Sequence, residues 1–220
     1  MNFKRIVLTV VLSTIALTAN AGSSCSALYP NGSSSTNKGF VELCNTEFVT
    51  VYDPIRKVAM FSSERLEGPV IHAERVSAFR ADNRLPAYAR AEVNDYVGTI
   101  YDRGHLAPAA NMSTPILVRE SFLMSNMAPQ VARLNRGSWK KLEAQVLDQV
   151  TGLTWIVTGT IFSSKKVVTI GNGITVPSAF YKCVWHNTKT TCWVASNTGS
   201  GKVTVSSLAE VNKLTGMTFQ

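Results

Sequence analysis

Histidine is scarce in this 220-residue chain, and paired metal-type cysteines are missing. His72, His105 and His186 are scattered and no Cys-x-x-Cys pair occurs, so a zinc site built from those ligands is disfavoured. Acid is scarce too. Asp and Glu number 14 against 22 Lys and Arg, a formal net charge of +8. That balance is compatible with a polyanionic partner. The cations are scattered rather than clustered, so charge alone decides nothing. Internal repeats, linkers and long low-complexity stretches are lacking, which leaves a single domain as the expected organisation. Beyond the N-terminus no apolar run reaches membrane-spanning length, and no membrane partner is expected for the mature chain.

The N-terminus departs from the rest. Lys4 and Arg5 precede an apolar run from Ile6 to Leu17, and the small-x-small pattern Ala19-Asn20-Ala21 follows. This is the pattern of a secretory signal peptide, expected at residues 1–21 with cleavage after Ala21. The run of about 12 residues is short for a membrane anchor. A secreted or periplasmic location is the resulting expectation, and losing Lys4 and Arg5 would leave a net charge of +6. In an oxidising compartment, Cys25, Cys44, Cys183 and Cys192 are expected as disulfides. Cys183 and Cys192 flank polar turn residues within apolar and β-branched segments, the pattern of a hairpin bridged across its strands. Pairing Cys25 with Cys44 follows by elimination.

Along the rest of the chain, residues 22–50 are expected as an N-terminal loop extension of a single domain at 22–220. Strands are expected at Glu47–Tyr52 and Val58–Ser62, around a turn at Asp53-Pro54. Residues 63–100 read mostly as loop. A helix is expected from Leu134 to Val150, because Trp139, Leu142, Val146 and Val150 recur at three- and four-residue intervals, with Gly152 as a left-handed stop. Strands are expected at Trp155–Thr158, Val167–Val176, Ala179–Val184 and Thr191–Ala195. A last helix is expected over Ser206–Thr215, capped by Ser206 or Ser207. Strands on either side of a central helix make an α+β domain with a mostly antiparallel sheet.

Two segments carry chemistry. In Tyr101-Asp102-Arg103-Gly104-His105-Leu106-Ala107-Pro108-Ala109, three polar side chains fall within four residues, in what reads as a Gly- and Pro-punctuated turn that would expose them. Further on, Asn135 and Glu143 lie about 40° to either side of Trp139 on an ideal helix, at the edges of its buried stripe. Half-buried polar groups there need partners. Taken alone, Asn135 reads as a helix cap and Glu143 as half of a buried salt bridge.

Together with Ser-Asn-Met-x-Pro-Gln at 125–130, Leu-Asn-Arg-Gly-x-Trp-x-x-Leu-Glu at 134–143, Thr-Gly-Thr-Ile-Phe at 158–162 and Val-Pro-Ser-Ala-Phe-Tyr-Lys at 176–182, the Asp-Arg-Gly-His motif resembles the DNA/RNA non-specific endonucleases. These are ββα-metal, or His-Me finger, nucleases. The resemblance runs from about Tyr52 to Thr215. It implies a central antiparallel sheet with a catalytic helix packed on it. It also implies one-metal hydrolysis of phosphodiesters in DNA and RNA, with Mg2+ as cofactor and Mn2+ able to substitute.

The same resemblance assigns roles. His105 would be the general base, Asn135 the one protein ligand of the metal, and Glu143 a hydrogen-bonding partner of metal-bound water. Arg75 would clamp phosphate. Asp102 and Arg103 would fix the loop, with Arg103 reaching substrate, and Asn126 and Arg136 are weaker substrate contacts. Leu147 stands where the family often has a second arginine, so Arg136 or Lys140 would have to serve that side. Two alternatives stay open: an inactive basic nucleic-acid-binding protein, and a nuclease or phosphodiesterase of narrower substrate range.

Overall fold

In a computed structural model, which describes residues 25–219 apart from 33–38, 72, 77 and 164–166, β-branched and aromatic runs become strands. The expected signal peptide and His72 lie outside the described residues. The strands in chain order are β1 (Val41–Cys44), β2 (Phe48–Asp53), β3 (Val58–Leu66), β4 (Tyr101–His105), β5 (Met127–Val131), β6 (Thr154–Ile161), β7 (Thr169–Ile170), β8 (Ile174–Thr175), β9 (Ala179–His186), β10 (Lys189–Ser196) and β11 (Val203–Ser206). The α-helices are α1 (Pro115–Ser121), α2 (Lys140–Leu147) and α3 (Leu208–Thr215).

Seven strands form one antiparallel sheet in the order β1-β2-β3-β6-β9-β10-β11. All of β2 is buried, and so is all of β3 except Arg65, because each face of the sheet carries its own core. On one face Ile156, Phe180 and Val184 meet Trp139, Leu142 and Val146 of the helical segment. On the other, Val49, Phe61, Val157 and Tyr181 pack with Val211 of α3, Tyr29 and the Cys183–Cys192 bridge. Cys183 and Cys192 are directly opposed across β9 and β10, with Cα atoms 4.1 Å apart. Cys25 and Cys44 are joined as well, so both expected pairings are present.

The α+β class and the antiparallel sheet are as expected from the sequence. Several details differ. Residues 41–44 are an edge strand rather than part of a loop; Val41–Cys44 pairs fully with β2 and is clamped by the Cys25–Cys44 bridge. Val167–Val176 is not one strand but the small hairpin β7–β8, folded back at Gly171 and Gly173, both with positive φ. The helix expected over 134–150 starts as a π-helical turn at Leu134–Trp139, interrupted at Gly137, and its α part ends at Leu147. Gly152 does not take the left-handed conformation, since the chain already leaves the helix at Asp148. Gly216 does, closing α3, which Ser207 caps by accepting from the Glu210 N–H at 3.1 Å.

Candidate active site

The strands β4 and β5 form a separate antiparallel pair, joined through α1, and the π turn and α2 follow it directly. The resulting ββα unit packs on the large sheet through Met127, Ala128, Leu134, Trp139 and Leu142. The chemistry-bearing residues lie on this unit because its two strands and its helix converge on one cleft of about 620 Å³. Arg75, Phe79, Asp102, Arg103, His105, Asn135, Arg136, Lys140 and Glu143 are among its lining residues.

The glycine of the Asp-Arg-Gly-His motif is set by close approach. A Cβ on Gly104 would sit 2.5 Å from Gln130 Oε1 and 2.7 Å from Gln130 Cβ, so no larger residue fits against β5. His105 ends β4 opposite Met127, and the ladder continues one step further through Leu106 N–H to Asn126 O at 3.0 Å. The motif is thus strand rather than exposed turn. Its histidine is half-buried, a correction to the expected exposure.

The His105 ring meets Phe122 edge-on, with centroids 4.8 Å apart at 90°, and lies 5.8 Å from Phe79. Its Nε2 is buried without a hydrogen-bond partner. Burial, assisted by the Arg75 charge, pushes its pKa down to about 3, so the imidazole is neutral at physiological pH. Arg75 is exposed at the rim, its guanidinium 5.5 Å from the Phe122 ring centroid. Phe122 therefore supports both residues. From the sequence, neither Phe79 nor Phe122 is assigned a role.

Across the cleft, hydrogen bonds replace rings. Asn135 Nδ2 donates to Asp102 Oδ2 at 2.8 Å, which commits the amide nitrogen and leaves Oδ1 as the free donor atom for a cation. Arg136 grips the same carboxylate through Nε at 2.8 Å and Nη2 at 2.5 Å. Burial works against the Asp102 carboxylate, but the bonds from Arg136 and Asn135 outweigh it and hold its pKa below the ordinary value. Glu143 is half-buried on α2. Burial raises its pKa, while Lys182, Arg75 and the nearby Trp139 indole pull the other way. The Trp139 N–H closes no hydrogen bond of normal geometry.

One expected site residue is placed otherwise. Asn126 is fully buried: Oδ1 accepts from Ser62 Oγ and the Ala107 N–H, and Nδ2 donates to Ala107 O and Ser121 O. It latches the segment after His105 and does not line the cleft, so it is a structural residue rather than a substrate contact. Arg103 is wedged between Phe79 and Tyr96, 5.1 and 5.5 Å from their centroids, and donates to Val93 O at 2.8 Å. Packing accounts for most of that side chain. Leu147 packs against the core, while Lys140 lines the cleft, exposed and in no ion pair among the described residues.

A family profile described as DNA/RNA non-specific endonuclease matches residues 25–220. The chain belongs to the DNA/RNA non-specific endonuclease family. The match extends beyond the Tyr52–Thr215 stretch in which the motifs lie, and takes in β1 and both disulfides. Mitochondrial endonuclease G of Homo sapiens is 34% identical over 161 residues, covering 66% of this chain and 54% of that protein. That of Bos taurus is 36% identical over 151 residues, covering 61% and 50%. The chain thus spans about half the length of the curated relatives it matches. A solved structure titled as the EndoG/EndoGI complex and the mechanism of EndoG inhibition superposes with a TM-score of 0.75 at 22% identity, covering 90% of this chain and 92% of that one. The fold is accordingly the ββα-metal fold of this nuclease family.

Proposed function

We propose that this member of the family is an endonuclease that hydrolyses phosphodiester bonds of DNA and RNA without reading base sequence, using a divalent cation and His105 as general base. One observation carries the reading: the His105 imidazole and the Asn135 amide line the same cleft, with the cationic side chains of Arg75, Arg136 and Lys140 beside them. The donor set fits a hard divalent ion. It offers one amide oxygen and the Glu143 carboxylate, suited to Mg2+ or Mn2+, which retain most of their waters. Bound there, the ion would supply charge stabilisation for the phosphate and the departing oxygen. Asn135 would hold it, and Glu143 would hydrogen-bond its waters.

The chain's own residues account for the other steps. Arg75 on one rim and Lys140 on the other hold the scissile phosphate. Water attacks phosphorus, its proton passes to the His105 imidazole, and the bond to the leaving oxygen breaks. Rim contacts of this kind reach phosphates and carry no base information, which favours broad substrate use. The two disulfides support export through residues 1–21, to the periplasm or beyond, although the endonuclease G relatives are named as mitochondrial. One large sheet running from β1 to β11 supports residues 22–220 as a single nuclease domain. Among the described residues no helix is long and apolar enough to cross a membrane. The test is cleavage of plasmid DNA and of RNA with Mg2+, with Mn2+ and with excess chelator. Cutting of both substrates that chelator abolishes and metal restores is the expected result. Undiminished cutting in chelator rules the mechanism out.

A further inference from the structure

The two rings that hold His105 come from stretches of chain that are far apart in sequence and joined side by side. Arg80 N–H donates to Phe122 O at 3.3 Å and Met124 N–H donates to Arg80 O at 2.9 Å, a parallel bridge between Arg80 and Leu123. One side-chain bond closes this seam: Ser125 Oγ donates to Asp82 Oδ2 at 2.6 Å. Both residues are 2% exposed, and neither lines the cleft. The seam sets Phe79 and Phe122 edge to face, with centroids 4.9 Å apart, and both rings lie against the imidazole. It also leads into the latch after His105, because Ser125 precedes Asn126, whose amide bonds Ala107 N–H and Ala107 O. Asp82 is gripped in turn from outside: Arg84 donates through Nε to Oδ1 at 2.9 Å and through Nη2 to Oδ2 at 2.6 Å, and its Nη1 reaches Cys44 O. The turn at Asp82 needs only Oδ1, which accepts from the Arg84 N–H at 3.1 Å. Oδ2 is spent across the seam.

We propose that Asp82 is a positioning residue for His105: through its bond to Ser125 it fixes the seam that presses Phe79 and Phe122 against the imidazole and sets the Asn126 latch after it. Since His105 Nε2 has no hydrogen-bond partner, the ring is placed by packing. Apolar contacts let rings slide unless the backbones that carry them are fixed to each other. The Ser125 bond suits that task, because a hydroxyl donating to a carboxylate makes a short, strong bond. Burial works against the Asp82 carboxylate, but the bonds from Arg84 and Ser125 outweigh it and keep it an anion. Asp82 touches nothing in the cleft, so its effect falls on the placement of the base and not on binding. The assignment rests on the reading that His105 is the general base.

The test uses the full protein. Ser125→Ala removes the bond across the seam and leaves Asp82 paired with Arg84. Its kcat should fall about 3- to 30-fold, within the roughly 10²-fold cost of misplacing a reacting group by about 1 Å, while KM for nucleic acid stays at the wild-type value. The His105 ring resonances of the metal-free protein at fixed pH, assigned against His105→Ala, should shift, because Phe79 and Phe122 move relative to the ring. Asp82→Ala should show the same shift with an equal or larger loss. The double variant Asp82→Ala/Ser125→Ala should be no slower than Asp82→Ala, since both changes act through one bond. Thr160→Val is the control for general loosening. It removes another buried hydroxyl, which donates to Ala59 O at 2.8 Å, and should lower Tm while leaving kcat and the His105 resonances unchanged. Wild-type kcat in Ser125→Ala, or a fall in kcat without a shift of the His105 resonances, overturns the proposal. An equal fall in Thr160→Val overturns it too. So does a Ser125→Ala chain that does not fold, since the bond would then serve the fold as a whole. Should Asp82→Ala not fold, Ser125→Ala still decides. Wild-type cutting by His105→Ala would instead count against the general-base reading.

Discussion

On one wall of the cleft His105 leans on Phe122 and Phe79, with a buried nitrogen that has no partner; on the other, Asn135 is tied through Asp102 to Arg136 by three hydrogen bonds. The contrast follows from what each group has to do. A general base must keep its lone pair uncommitted, so packing rather than hydrogen bonding is the means of holding it. A metal ligand must present one particular atom, and an amide can present either end unless one is occupied. Asp102 occupies the nitrogen.

Removing the working group from each wall gives the largest effects. His105→Ala should lower kcat by about 10²–10⁴-fold, the range for a lost general base, with binding of nucleic acid retained. Binding is checked by fluorescence anisotropy at fixed salt, and a variant cutting at the wild-type rate would make His105 structural. Asn135→Ala should lower the rate by orders of magnitude as well, and it alone of the two should weaken Mn2+ binding. Asp102→Asn is gentler. It replaces the acceptor with an amide that can present a nitrogen to Asn135, which lets the ligand flip. Metal affinity should drop about 10- to 100-fold, as for other groups that orient a ligand. Unchanged calorimetric affinity in a folded Asp102→Asn protein would show that Asn135 does not depend on this tie.

The two walls were unequally legible in the sequence. Asp102, His105, Asn135 and Glu143 sit in local motifs, and local spacing is what sequence reading resolves best. Phe122 reaches the site from the end of α1, outside those motifs, and nothing in its local setting separates it from a core residue. Asn126 misled for the complementary reason. It lies in a family motif, yet its four hydrogen bonds are all internal. The sheet was visible in β-branched runs, but the short edge strand Val41–Cys44 was hidden next to a Ser- and Asn-rich stretch. The π turn at Leu134–Trp139 escaped because the apolar spacing of Trp139, Leu142 and Val146 is that of an ordinary helix. Gly137 was the only local sign of the interruption.

A smaller effect probes the packed wall without removing its base. Phe122→Leu keeps an apolar side chain but loses the edge contact to His105 and the ring under Arg75. A loss of about 2- to 10-fold in kcat/KM is expected, equivalent to the roughly 0.5–1.5 kcal/mol of such aromatic and cation–π contacts. Mn2+ affinity should not move, because the Phe122 ring packs against His105, Phe79 and Arg75 rather than serving Asn135. A change in metal affinity equal to the change in rate would mean that the two walls are coupled.

The smallest expected effect is an absence, and it bears on why the base is packed rather than hydrogen-bonded. A solvated histidine would titrate near 6.5, and activity would then rise with pH through that value. Here burial and Arg75 lower the folded-state pKa to about 3. The neutral form is favoured in the fold, so the unfolded chain takes up a proton that the folded chain refuses between about 6.5 and about 3. Stability is therefore lost as pH falls through that window. Glu64 has the opposite sign. Its folded pKa is raised from 4.5 to about 8, so its contribution is full below 4.5 and lost as pH rises through about 8. The measurement is the ring resonance of His105 by NMR in the metal-free protein, identified through the His105→Ala spectrum. It should stay flat from about pH 8 to about pH 5, where a solvated imidazole would complete most of its titration. Thermal melts between about pH 4.5 and about pH 8 should show the Glu64 loss in wild type and not in Glu64→Gln. A His105 resonance that titrates with a midpoint near 6.5 would mean the ring is open to water in solution. The contrast between a packed wall and a hydrogen-bonded wall would then fail on the packed side.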